Sequence, residues 1–335
     1  MESVSDERKV SDERKVSEAY LRWARVEAAE RSPRYAEWAR GVAADPVLCA
    51  RIAELEHSRR QPNLLFAAAR FEGVPLQPWA DVREMITGSW SRIRATMLAR
   101  MTQTNEARRM ATLLPAIAHL PGPIALLEVG ASAGLCLYPD RWRYRFGAGK
   151  YVGDAALPLL ETVASPSTPL PHHPPTVAWR GGLDLQPLDP DEPETRTWLE
   201  ALVWPDANGN VDGARVDRLR TALAIARREP AHVRRGDLRV DARAIVDEAA
   251  QHAPTVVVWH SAVLAYVSAY DRASFADLMG ELTVTWVANE GATLEIGPPA
   301  PWATDGDFVL RRDAQPLAIT DPHGRAITWL DDIPR

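Results

Sequence analysis

Apolar positions recur every three to four residues through the first third of the chain, and then the rhythm changes. Tyr35, Trp38, Ala39 and Val42 share one helical face behind Ser32-Pro33, a capping hydroxyl followed by proline at the first helical position. Asp45-Pro46 repeats that start signal ahead of Leu48, Ile52 and Leu55. Gln61-Pro62-Asn63 punctuates again, ahead of Leu64, Leu65, Ala68 and Ala69, a stripe that ends near Gly73 before Pro75. Trp90, Ile93, Met97 and Met101 are helically spaced too. These stripes predict a helical N-terminal domain over residues 17–120, with its aromatic and Met positions as core. Ahead of it, Val4–Lys9 and Val10–Lys15 repeat one charged hexamer. A segment so polar buries little, and residues 1–16 are expected to be a disordered or frayed helical tail.

At Pro121-Gly122-Pro123 short apolar runs begin to alternate with helical patterns. The runs are Ile124–Val129, Thr176–Trp179, Thr255–Trp259 and Thr283–Val287; the helical patterns include Arg215–Arg228, Ala242–Gln251 and Arg272–Leu282. Strands alternating with helices imply βαβ units and a mainly parallel sheet, a doubly wound α/β domain over residues 121–335. Phe308–Arg311 and Ala326–Leu330, around Asp321-Pro-His-Gly324, predict a terminal antiparallel hairpin. The proline-rich stretch from Leu157 to Pro175 reads as an extended insertion rather than a sheet strand.

Composition narrows the function classes. The chain has 335 residues, enough for two domains, with 46% hydrophobic and 25% charged residues. A net charge of −6 gives none of the basic excess of a nucleic-acid binder. No apolar run reaches the length of a membrane span, and the charged N-terminus lacks a secretory apolar core, so a cytoplasmic protein is expected. Cys49 and Cys136 are expected to be reduced and buried. His172 and His173 have no metal-ligand partners at suitable spacing, so no metal site is expected.

The candidate chemistry gathers at Ile124–Leu135, where an apolar run carries Glu128 and then Gly130, Ser132 and Gly134. Read as Gly-x-Ser-x-Gly, it is a serine hydrolase elbow, with Asp271 or Asp305 as acid and His260 or His323 as base. Such an elbow follows earlier strands of its sheet, and the residues before Ile124 look helical. Read as Glu-x-Gly-x-Ser-x-Gly, it is a strand–loop–helix that binds a nucleotide at the strand's carboxyl end. A pyrophosphate fingerprint needs glycine where Leu135 stands, and a phosphate-binding Lys is absent. A carboxylate at Glu128 suits a ligand bearing ammonium and sulfonium charges, which is S-adenosylmethionine.

Several motifs occur in order along with this loop: Gln103-Thr-Asn-Glu106, Asp140-Arg141, Arg180-Gly-Gly-Leu-Asp184, Val203-Trp-Pro-Asp206 and Val257-Val-Trp-His-Ser261. Together they resemble the bacterial domain-of-unknown-function family numbered 2332, over about Tyr20 to Glu290. Cys136 departs from the polar residue its relatives tend to carry there. The resemblance implies a core similar to the S-adenosylmethionine-dependent methyltransferase fold, and no established activity.

On that frame Asp184 would end the second strand and accept the ribose hydroxyls, or else cap the following turn. Asp237, after a third strand at His232, would lie near the adenine, or in a surface turn. The fourth strand would deliver His260 to the site as a base or a structural histidine, with Tyr266 nearby. Asn105 and Glu106 would project over the crevice; Arg108 and Arg109 would answer an acidic substrate or lie on the surface. The expected function is methyl transfer from S-adenosylmethionine to a small molecule, with Glu128, Gly130, Ser132, Gly134, Asp184, Asp237 and Asn105 binding the cofactor. His260, Glu106 and Tyr266 would serve catalysis. The alternatives are a non-catalytic ligand-binding or interaction protein and a hydrolase using Ser132.

Overall fold

The computed structural model describes residues 2–103 and 105–333, with the backbone alone for residues 2–10. Two compact units emerge: Met1–Thr104 with Glu192–Asp217, and Asn105–Asp191 with Arg218–Arg335. The first is helical. It holds α1 (Glu2–Trp23), which continues into a π-helical turn, then α2 (Pro33–Ala43), α3 (Pro46–Ala53), α4 (Pro62–Phe71), α5 (Trp79–Gly88) and α6 (Trp90–Ala99). The start signals act as read. Ser32 Oγ accepts the Tyr35 N–H, and Asp45 Oδ1 accepts the N–H groups of Val47 and Leu48. Tyr35, Trp38 and Phe66 pack ring against ring in a core that the helical stripes supply. The tandem hexamer lies within the backbone of α1.

The helical unit stops well before residue 120 and takes in a distant segment, for a reason of packing. Arg70 donates to the carbonyls of Glu200, Ala201 and Val203 at the end of a later helix. Those carbonyls lie at the C-terminal end of that helix and just past it, where intrahelical donors run out, so one guanidinium ties the end down. Trp204 packs on Trp23, and Trp198 donates to Met101 O.

The second unit is built on α7 (Met110–Ile117) and β1 (Ile124–Val129), every residue of which is buried. Then come β2 (Arg143–Phe146), β3 (Lys150–Val152), β4 (Leu159–Ala164) and β5 (Val177–Asp184). The helix held by Arg70 is α8 (Pro193–Ala201), and α9 spans Gly213–Arg228. The rest is β6 (His232–Arg235), α10 (Leu238–Ala249), β7 (Thr255–Ser261), α11 (Ala269–Glu281), β8 (Thr285–Gly291), β9 (Phe308–Arg312), β10 (Gln315–Thr320) and β11 (Ala326–Trp329).

The strands form one sheet in the order β3-β2-β4-β11-β10-β9-β8-β7-β1-β5-β6. From β6 to β8 all pairs are parallel. In order of use these five strands run third, second, first, fourth, fifth, the doubly wound arrangement, with its reversal between β1 and β7. The α/β class with a mostly parallel sheet is therefore what the alternation of patterns indicated. The α10 and α11 faces bury Leu238, Ile245, Val246, Phe275 and Met279 against β1, β5, β7 and β8. Each such side chain contributes about 1.5–3 kcal/mol, a driving force that fixes which face of each strand points inward.

Three departures from the sequence pattern matter. No α-helix follows the glycine loop: residues 131–138 turn repeatedly and lead to β2, because Ala131, Ala133, Leu135, Leu137 and Tyr138 are all buried rather than arrayed on one face. The proline-rich stretch contains β4, whose six residues lie between Pro158 and Pro166 and pair with β2 and β11. The terminal hairpin is a three-strand meander, because β10 stands between the two runs the pattern identified. No described helix is long and apolar enough to cross a membrane.

Candidate functional site

The carboxyl ends of β1, β5 and β7 bring together most of the expected site residues. Glu128 lies at the penultimate position of β1, opposite Gly182 of β5 and Trp259 of β7. It is 7% exposed. Its Oε2 has no hydrogen-bond partner, and neither has the neighbouring Trp259 indole N–H. Burial pushes this carboxyl well above its usual range; Arg109 opposes the shift, the Asp184 carboxylate reinforces it, and the nearby Trp259 indole opposes it. A buried acid with an unspent oxygen is costly unless something pairs with it.

Beyond Glu128 the chain turns sharply. Gly130 and Gly134 have φ of 72° and 69°, and Ser132 shares the left-handed region at 51°. Space is short as well as conformation. A Cβ on Gly130 would lie 2.3 Å from Val263 Cγ2, and one on Gly182 would lie 2.5 Å from Ala131 Cβ. The glycines thus admit the protein's own neighbours: β7's following loop rests on Gly130, and the turn rests on β5.

The loop amides are spent internally. The N–H groups of Gly130 and Ala131 donate to Leu183 O at 2.8 and 3.1 Å, Ser132 N–H to Asp184 Oδ2 at 2.8 Å, Ala133 N–H to Asn105 Oδ1 at 3.3 Å, and Gly134 N–H to Ala131 O at 2.6 Å. With no helix N-terminus here, the expected row of amides facing an anionic ligand end is not formed. Asp184 also accepts the Gln186 N–H at 2.7 Å, so its carboxylate organises the loop. Asn105 reaches the loop twice, donating from Nδ2 to Ser132 Oγ at 2.8 Å. Thr104, in the same polar turn, lies outside the described residues.

Ser132 has the positive φ that suits an elbow, but its hydroxyl is bound by Asn105 and no helix follows it. Glu106 is buried at 2% exposure and gripped by Arg218 through two contacts of 3.1 Å. It also accepts the Arg108 N–H. Tyr266 is 69% exposed beyond β7. Asp237 lies after β6, where it caps α10 through the Arg239 N–H and pairs with the Arg239 guanidinium, a bond that lowers its pKa.

His260 corrects the sequence reading most clearly. It is fully buried within β7. Its Nε2 faces the indole N–H of Trp286 at 2.9 Å, which makes Nε2 the acceptor. Nδ1 therefore carries the ring proton and donates to Glu290 Oε1 at 2.7 Å. Glu290 in turn accepts the Val263 N–H. Both nitrogens are committed, so the ring holds β7, β8 and the Val263 loop together and has no lone pair for an acceptor's proton.

The sequence reading underrated Arg109. It is 6% exposed and donates to Ser261 O at 3.2 Å and Pro322 O at 2.9 Å, tying the ends of β7 and β10 to the strap that carries Asn105 and Glu106. Its place directly before the apolar α7 was the available signal. Cys136 and Cys49 are free and buried, as expected. Among the described residues no cluster of His, Cys, Asp or Glu has the makings of a metal site.

A family model described as "Uncharacterized protein conserved in bacteria (DUF2332)" matches residues 69–329. The match covers most of the chain, which belongs to this family. No curated protein and no solved structure matches it.

Proposed function

We propose that this member of the family binds S-adenosylmethionine at the carboxyl edge of β1 and β5 and transfers its methyl group to a small molecule. The observation that carries the reading is Glu128: a buried carboxyl with an unpartnered oxygen, beside the reversal point where open α/β sheets take their ligands. A sulfonium or ammonium group paired with it would offset the cost of burying its charge. Asp184, at the end of β5, accepts the Ser132 and Gln186 N–H groups and is the carboxylate this reading assigns to the ligand's vicinal hydroxyls. The bound cofactor would supply an electrophilic methyl group. The protein's part is alignment of donor and acceptor, since His260 is committed elsewhere.

One observation favours a second reading, a non-catalytic ligand-binding module. The amides of residues 130–134 are all satisfied within the protein, and Val263 rests on Gly130. Calorimetric titration with S-adenosylmethionine and S-adenosylhomocysteine separates the two. Binding that weakens at least tenfold in Glu128→Gln supports the cofactor site, and methylation of any compound in a small-molecule panel supports transfer. Binding without turnover favours the second reading. No heat signal at millimolar cofactor rejects the S-adenosylmethionine site.

A further inference from the structure

Beside the Glu128 loop, the same edge of the sheet carries a group of guanidiniums that the reading above does not use. Arg108, Arg218 and Arg325 gather around two carboxylates, Glu106 and Asp321. Arg218 holds Glu106, and Arg325 holds Asp321 through Nε at 3.0 Å and Nη2 at 2.8 Å. Those pairings leave the third cation, Arg108, without a carboxylate of its own. It spends only Nε, on His323 O at 3.1 Å. Its terminal amino groups have no hydrogen-bond partner among the described residues and are not shut off from solvent. Burial first and then the Arg218 charge lower its pKa; Glu106 and Asp321 oppose the fall, and Arg325 adds to it.

The arrangement is built rather than incidental. The turn from Asp321 to Arg325 is pressed onto the Arg108–Arg109 peptide so closely that a Cβ on Gly324 would lie 2.4 Å from Arg108 O. Arg109 donates to Pro322 O of the same turn, and the Thr162 hydroxyl donates to Gly324 O. Asp321 Oδ1 accepts the N–H groups of His323 and Arg325. Two strand ends and the strap before α7 are thus committed to holding these arginines together.

We propose that Arg108, with Arg218 and Arg325, forms an anion subsite at the carboxyl edge of the sheet, taking a carboxylate or phosphate group of a small-molecule ligand. A planar guanidinium fork matches either oxyanion through two parallel N–H···O bonds. The inference stands independently of S-adenosylmethionine, because the anion is held by residues other than Glu128 and Asp184.

The test measures thermal unfolding of the full chain with sodium phosphate or sodium acetate against sodium chloride at matched ionic strength. Phosphate and acetate arms distinguish the two oxyanions. The expected result is a concentration-dependent rise in Tm beyond chloride for at least one of them. The apparent affinity should fall about tenfold or more in Arg108→Gln, fall less in Arg108→Lys, and stay unchanged in Arg243→Gln, an exposed arginine paired with Glu281. Arg325→Gln serves if Arg108→Gln fails to fold, with the same expected loss. The proposal is overturned if neither anion stabilises the protein beyond chloride, or if Arg243→Gln weakens the effect as much as the cluster variants.

Discussion

Replacing Glu128 by Gln probes the feature on which the functional reading leans, without any ligand. In the folded protein the carboxyl titrates well above its ordinary range, from burial first, with Arg109 opposing, Asp184 adding to the rise, and the Trp259 indole opposing it. Cys136 also lies within its electrostatic reach. Just above the ordinary Glu range, the unfolded chain has lost this proton and the folded chain has kept it. The folded state then binds more protons, so stability falls as pH rises, by about 1.4 kcal/mol per unit for one proton. The contribution is whole below the ordinary glutamate pKa and is lost as pH climbs toward the raised one. A glutamine cannot titrate; its amide adds a pH-independent offset. Urea unfolding of wild type and Glu128→Gln at pH 5, 6 and 7 should therefore show the wild type losing stability relative to the variant by about that slope. Parallel profiles, or a wild type gaining stability with pH against the variant, would refute the account of a buried, proton-holding acid.

The remaining expectations concern neighbouring features. His260→Ala should cost about 3 kcal/mol in urea unfolding, since it strands the Trp286 N–H and removes a Glu290 partner; little loss would show the ring is not the tie described. Gly324→Ala meets Arg108 O at 2.4 Å with φ at 74°, and a Tm drop equivalent to at least about 1–2 kcal/mol is expected, against an unchanged Tm if the turn can lift away. Fluorophosphonate probes should leave Ser132 unlabelled, as its hydroxyl is buried and held by Asn105; labelling abolished by Ser132→Ala would revive the hydrolase. The Cys136 thiol, raised by burial, should react with a thiol reagent only after unfolding, as read by mass of the labelled peptide.

What the sequence revealed and what it hid divide along physical lines. β1 and the start of β7 were legible because apolar runs bounded by punctuation have few other uses, and α9 and α10 because their stripes keep a helical period. The glycine loop misled because small residues at alternate positions serve two ends. They admit a ligand, or they admit Val263, Val233 and the strap residue Asn105, and only packing decides. His260 was ambiguous for a similar reason: Trp286 and Glu290, which commit its two nitrogens, are far along the chain. β10 was hidden by Pro316, which a strand tolerates here beside a register shift between Pro316 and Ala318. Arg70's hold on the end of α8 joins positions 131 residues apart, beyond the reach of any local pattern.

The placement of β4 bears on how the chain reaches its final form. This strand leaves the ribosome early, yet its ladder partner on one side is β11, near residue 326. Until synthesis has delivered that late partner, β4 and the short strands beside it can join the rest of the sheet only by waiting. An entropically expensive loop must close before they are rewarded, so assembly of this side of the sheet should be slow and should wait on β11. During that interval a bare strand border is open to pairing with other nascent chains, the stage at which a folding helper would be needed most.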